Sequence, residues 1–133
     1  MIEFFIPFKP VPWTVPRLRG RIWYNPRNKA KRDTQRFIAA NYSGPIIDKR
    51  LSLLFEFYFT PPKSATIAMK AKMLARTEIP TACDLTNLQK FYEDCLKGIV
   101  IKDDRYTGYV QSRKWYGPKN LIHITVLDYV PAA

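Results

Sequence analysis

The sequence is poor in the residues that most often build zinc sites and nucleophilic catalytic groups. It has one histidine, His123, and two cysteines, Cys83 and Cys95, among 133 residues. The two thiols form no CxxC pair, and His123 stands in the alternating run LIHITV, which suits the wall of a strand. We therefore expect neither a zinc centre nor a Ser–His–Asp or Cys–His arrangement.

Long apolar runs are also missing. No segment approaches the ~20 apolar residues that a membrane-spanning helix needs. The opening stretch MIEFFIPFKP has no basic region before its short apolar run, so it does not have the pattern of a signal peptide. The two cysteines fit a reducing compartment. We expect a cytoplasmic protein with no membrane partner.

Acidic residues are scarce, because 22 lysines and arginines face only 11 acids and leave a net charge of +11. Residues 9–36 concentrate this excess, with nine bases and one acid, Asp33. Clustered bases repel one another and gain most when phosphates neutralise them, so the pattern favours nucleic acid as the partner. The residues predicted to contact DNA phosphates are Arg17, Arg19, Arg21, Arg27, Lys29 and Arg32.

Strand and helix patterns are mixed along the chain without regular βαβ alternation. This predicts one α+β domain over residues 1–133, with a mixed, mostly antiparallel sheet packed against two main helices. One helix should begin at Asn25–Pro26 and the other at Asp84. The segment at about 9–24 is rich in proline and should form an extended basic arm, with a short strand at RIWY. The run GIVIK, which begins at Gly98, is predicted to be a short strand.

Three acids flank the second helix and the segment after it. Asp84 precedes the helix, and Asp103 and Asp104 follow GIVIK. If the returning strand runs antiparallel to the helix, these carboxylates come together, and a divalent cation such as Mg²⁺ would relieve their repulsion. Taken singly, Asp84 is an ordinary helix cap and Asp103–Asp104 an ordinary turn. Their combination in a basic chain points to metal-dependent phosphodiester hydrolysis.

Lys90 is predicted on the exposed face of the same helix, where it could stabilise charge on a phosphate or simply be solvated. Trp13, Trp23 and Tyr24 could stack on unpaired bases, although core packing or a subunit contact is the more ordinary role for each of them.

The stretch DLTNLQK, followed by an amphipathic helix, a glycine, an apolar run and KDDR, resembles the RusA family of Holliday junction resolvases. The family pattern is Asp-x-Asp-Asn-Leu-x-Lys, a further Asp in the helix, and Asp-Asp after the apolar run. The matching positions are Asp84, Asn87, Leu88, Lys90, Asp94, Asp103 and Asp104.

The resemblance implies a phage or prophage endonuclease that cuts four-way DNA junctions as a homodimer and needs Mg²⁺. If the family's residue roles apply to the matching positions, Asp84 and Asp104 would be metal ligands with Asp103 beside them, and Lys90 would be the catalytic lysine.

The chain departs from the family pattern at Thr86, where the family has its second aspartate. Threonine offers one neutral hydroxyl, which would bind the ion weakly or through a water while Asp103 or Glu93 compensates. A slow enzyme, or one that prefers Mn²⁺, is a second outcome. A protein that binds branched DNA with weak or no cleavage is the rival reading, and an RNA-binding protein is a third.

Overall fold

Alternating and continuous apolar runs fold into six strands and three α-helices in the computed structural model, which describes residues 1–131. The strands are β1 (Ile2–Ile6), β2 (Arg17–Arg19), β3 (Ile22–Tyr24), β4 (Leu51–Phe59), β5 (Thr107–Tyr116) and β6 (Leu121–Asp128). The helices are α1 (Asn28–Ala40), α2 (Ile67–Leu74) and α3 (Leu85–Leu96). In residues 1–131, no helix is both long enough and apolar enough to cross a membrane.

Four strands form one sheet in the order β1-β6-β4-β5. β6 pairs antiparallel with both β1 and β4, whereas β4 and β5 are parallel. The predicted α+β class with a mixed, mostly antiparallel sheet is therefore confirmed. A parallel pair requires a long crossover connection, and here residues 60–106 supply it. That crossover carries α2, α3 and every acid predicted to take part in catalysis.

The core lies between the sheet and helices α1 and α3. Alternate residues of β4 from Leu51 to Phe59 are buried. One face of α3 is buried as well, formed by Leu88, Phe91, Tyr92, Cys95 and Leu96. The Phe57 and Tyr92 rings, for example, have centroids 5.4 Å apart. Because this packing fixes the inner face of α3, the opposite face, which includes Thr86 and Lys90, is exposed.

The prediction of a strand at GIVIK is wrong. Residues 98–100 form a turn, and Ile101 makes only isolated bridges, to Ile47 and Lys97. Gly98 adopts a φ of +85°, which a glycine tolerates after a helix. The Leu96 carbonyl then accepts a hydrogen bond from the Val100 N–H at 3.0 Å. Local hydrogen bonding at the helix end thus outweighs the β propensity of three apolar residues.

The predicted start of the first helix is three residues early. Asn25 caps a turn, since its side-chain oxygen accepts from the Arg27 N–H at 2.9 Å, and α1 begins at Asn28.

The proline-rich segment runs along α3 and forms neither helix nor sheet there. The Val11 N–H donates to the Tyr92 hydroxyl at 3.1 Å, and the Trp13 N–H donates to the Asn87 carbonyl at 2.9 Å. The chain then leaves α3 and forms the exposed β2–β3 hairpin, which confirms the short strand predicted at RIWY. The basic hairpin therefore projects from a segment that is anchored on the helix carrying Asp84 and Lys90.

Candidate active site

Asp84 occupies the N-cap position of α3 with extended backbone angles, φ −72° and ψ 133°. Within residues 1–131, however, its side chain accepts no capping hydrogen bond from the first turn. The side chain is exposed. The ordinary capping role is therefore not the one observed, and the carboxylate is available to another partner.

Asp103 caps the short 3₁₀ turn at Asp104–Tyr106, because its side-chain oxygen accepts from the Arg105 N–H at 3.1 Å. This hydrogen bond lowers the pKa of Asp103, and a hydrogen bond with the Asp104 carboxyl and the charges of Lys97 and Arg105 act in the same direction. Asp104, by contrast, is exposed at the start of the turn. Asp103 thus has the ordinary role of capping a turn, whereas Asp104 is the exposed member of the pair.

The pKa of Glu93, in the second half of α3, is affected by the charge of Asp104. Burial raises the pKa of Glu93, a hydrogen bond from Gln89 opposes the rise, and the negative charges of Asp104 and Asp94 add to it. The charge of Asp104 therefore acts on a carboxyl group in the second half of α3. Repulsion between carboxylates is the electrostatic condition under which a bound cation stabilises a site.

The strand after the acidic pair, β5, returns along α3 towards Asp84. The Ser112 hydroxyl donates to the Gln89 side-chain oxygen at 2.7 Å, and the Lys114 ammonium donates to the Cys83 carbonyl at 2.7 Å. Across residues 1–131, no three His, Cys, Asp or Glu side chains form a group that could hold a metal ion. The assignment of Asp84 and Asp104 to one ion stays a prediction.

The donor chemistry nevertheless suits a hard cation. Asp84, Asp103 and Asp104 offer carboxylate oxygens and Thr86 offers a hydroxyl, which are ligand types that Mg²⁺ and Mn²⁺ accept. Mg²⁺ typically uses one or two carboxylates together with waters and substrate phosphates, so it does not require three protein acids. The residue types present are therefore compatible with an ion that DNA phosphates and waters would complete.

Thr86 and Glu93 lie on one face of α3, because seven residues make about two helical turns. Glu93 is held there by the Gln89 amide, which donates to it at 3.2 Å and is itself fixed by Ser112. The face of α3 that has a threonine at position 86 therefore has a carboxylate about two turns further along, at Glu93.

Lys90 is exposed, and its ammonium stands 3.7 Å from the centroid of the Trp13 ring. This cation–π contact orients the lysine, so it is not a freely solvated side chain. Nothing in the sequence indicated this contact, because Trp13 and Lys90 are distant in the chain and no periodic pattern links them. Trp13 is half-buried and packs against the hydrophobic core, which is the ordinary role expected for it.

The β2–β3 hairpin carries three of the predicted DNA contacts, Arg17, Arg19 and Arg21, and all three are exposed. Trp23 lies on the same hairpin with 68% of its surface exposed, so core packing within the chain is not its role. The hairpin therefore combines guanidinium groups for phosphates with an exposed ring that could stack on a base.

The other three predicted contacts differ in how freely they can reach DNA. Arg32 is exposed and lines a shallow depression on α1 with Lys31. Lys29 pairs with Asp33 at 3.2 Å, four residues along the helix. Arg27 is half-buried, and its Nε has no hydrogen-bond partner within residues 1–131. Arg32 is thus the best placed of the three for a phosphate.

One comparison with known proteins found a match. No curated protein sequence matches the chain. The family model of the endodeoxyribonuclease RusA matches residues 7–127, a range that contains the basic hairpin, Asp84, Lys90 and Asp104. Since the match covers far more than half of the sequence, the chain belongs to the RusA endodeoxyribonuclease family.

Proposed function

We propose that the protein is a structure-specific DNA endonuclease that resolves four-way junctions by Mg²⁺-dependent phosphodiester hydrolysis, acting as a homodimer. The observation that carries the proposal is the family match over residues 7–127, which includes the whole acidic and basic set. Each chain supplies one set of acids, and a junction needs two nicks to be resolved, so two copies account for paired cutting.

Electrostatic attraction between basic side chains and phosphates is the first contribution to DNA binding. The exposed arginines of the β2–β3 hairpin and Arg32 on α1 attract phosphates without reading bases, which suits recognition of a branched shape. The segment that leads into the hairpin is tied to α3 through Trp13, so DNA held on the hairpin would lie close to the acidic helix.

The chain's own groups then act on the scissile phosphate. Asp84 and Asp104 would hold Mg²⁺, with Asp103 beside them and Thr86 contributing weakly or through a water. When bound, the ion offsets charge that develops on the phosphate and lowers the pKa of the attacking water. Lys90, oriented by the Trp13 ring, stabilises negative charge on the phosphate oxygens.

Cleavage of a synthetic four-way junction tests the proposal. We expect symmetric nicks in the junction and none in a linear duplex of the same sequence, with activity in Mg²⁺ or Mn²⁺ and none in chelator. Tight junction binding without ion-dependent nicks would contradict it. That result would support the second candidate, a branched-DNA-binding protein with weak or no cleavage, which is favoured by the exposed threonine at position 86.

Replacing Arg19 by alanine should weaken junction binding and make it less sensitive to salt. Each lost phosphate contact lowers the slope of log K against log salt by about 0.9. The slope is measured by fluorescence anisotropy between low and physiological salt. The matched control is Lys72→Ala on α2, which removes one charge outside the hairpin and should leave the slope unchanged. Equal slopes for both variants would remove the hairpin from the DNA-binding surface.

A further inference from the structure

A cavity of about 340 Å³ opens immediately before Asp84. Its walls come from the end of β4 with the prolines after it, the end of β5, and the loop that leads into α3. The lining residues on which the argument depends are Lys9, Pro61, Lys63, Cys83, Tyr116 and Asn120. We propose that this cavity receives one unstacked base of the DNA substrate, with Lys9 and Lys63 on the neighbouring phosphates. The inference rests on the proposed function.

The shape and chemistry of the walls suit a base. Tyr116 and Pro61 present flat apolar surfaces, and aromatic side chains stack on any base because every base has a π face. Asn120 adds a polar group: its side-chain oxygen accepts from the Thr60 N–H at 3.0 Å, which leaves the amide N–H donors for the edge of a base. The volume lies near the lower end of the ~300–1,000 Å³ range of ligand pockets, as a single nucleotide requires.

The charges at the rim suit the flanking phosphates. Lys9 and Lys63 are both exposed, and among the described residues that line the cavity none is acidic. Two ammonium groups around a largely apolar pocket match the composition of a nucleotide, which joins a flat aromatic base to anionic phosphates. The occupant we assign is therefore a base within a DNA strand and not an uncharged small molecule.

The position of the cavity links it to the chemistry. Cys83 lines it and is followed directly by Asp84, whose side chain makes no capping bond within residues 1–131. A base in the cavity places its own phosphodiester next to that carboxylate. Bases in a continuous duplex are stacked and paired, whereas bases at a branch point are extruded at lower cost. Base capture would therefore select branched DNA in addition to the shape read by the hairpin.

Cys83 provides a direct reporter of occupancy. Cys83 is half-buried and lines the cavity, whereas Cys95 is fully buried. Burial also raises the pKa of the Cys95 thiol to about 12, so a maleimide at neutral pH reacts with Cys83. The experiment measures the rate of N-ethylmaleimide addition by mass spectrometry, in chelator so that nothing is cut, with Cys83→Ser to confirm the labelled site.

We expect saturating four-way junction to slow the modification about tenfold, and linear duplex to slow it much less. A series of junctions then carries one abasic site, at a different position near the crossover in each. For one of these positions, the junction should no longer protect Cys83. Equal protection by every abasic junction would overturn the proposal, and so would no protection by a junction that anisotropy shows to be bound. Failure of binding itself would instead count against the proposed function.

Lys63→Ala supplies a second measurement, with Lys119→Ala as the matched control outside the cavity. Lys63→Ala should weaken junction affinity about three- to tenfold and reduce the protection of Cys83, since it removes a phosphate partner. Lys119→Ala should retain the protection. If the cavity is filled by a partner subunit, modification will be slow without DNA and will accelerate on dilution, and that result would also overturn the proposal.

Discussion

Asp104→Asn should bind four-way junctions as tightly as the parent and cut them at least ~100-fold more slowly. The substitution keeps the size of the side chain and removes a charged metal ligand, and losses of about 10²–10³ in rate are typical when one preorganised electrostatic group is removed from a site. Asp104 is exposed, so the change should not disturb the core. Junction affinity should be retained, because the phosphates are held mainly by the basic hairpin and α1.

The measurement is the single-turnover cleavage rate at saturating protein, with affinity determined separately. Asp48→Asn is the matched control, since it removes the same charge from an exposed position in the connection between α1 and β4. A cleavage rate for Asp104→Asn equal to that of the control would refute the metal assignment.

Thr86→Asp should raise the cleavage rate by about tenfold or more and lower the Mg²⁺ concentration needed for half-maximal activity. The new carboxylate would enter the first turn of α3, two residues after Asp84 and on the exposed face. An acid in the first turn also interacts favourably with the helix dipole, so the fold should tolerate it. The threonine hydroxyl is a weaker ligand for a hard cation than a carboxylate.

The single-turnover cleavage rates of Thr86→Asp and the parent are measured as functions of Mg²⁺ and of Mn²⁺ concentration. Thr77→Asp, in the loop after α2, adds the same charge elsewhere and should change neither quantity. An unchanged rate in Thr86→Asp would mean that the natural site has no missing ligand. In that case Glu93→Gln should reduce cleavage, because Glu93 is then the acid that compensates.

Local periodicity was enough to predict much of the framework. The continuous apolar run of β4 and the spacing of buried residues in α3 each depend on neighbours within one element, and the chain forms a strand and an amphipathic helix there. The mostly antiparallel sheet followed from the absence of βαβ alternation. The clustering of bases at residues 9–36 likewise indicated the exposed arginines of the hairpin before their positions were known.

What the sequence did not indicate depends on contacts between distant residues. The parallel pairing of β4 with β5 has no local signal. GIVIK looked like a strand, yet it is held as a turn by hydrogen bonds at the end of α3 and a bridge to Ile47. The Trp13–Lys90 contact and the cavity before Asp84 arise only when the proline-rich segment and the sheet meet α3.

The parallel β4–β5 pair also constrains the order in which the fold can form. Its two strands are separated by the whole of residues 60–106, so their ladder can close only after that span has been synthesised and folded back. The strand that closes it follows Asp104 directly and braces α3 through Ser112 and Lys114. A growing chain on the ribosome therefore carries its acids without their supporting strand until β5 has been synthesised.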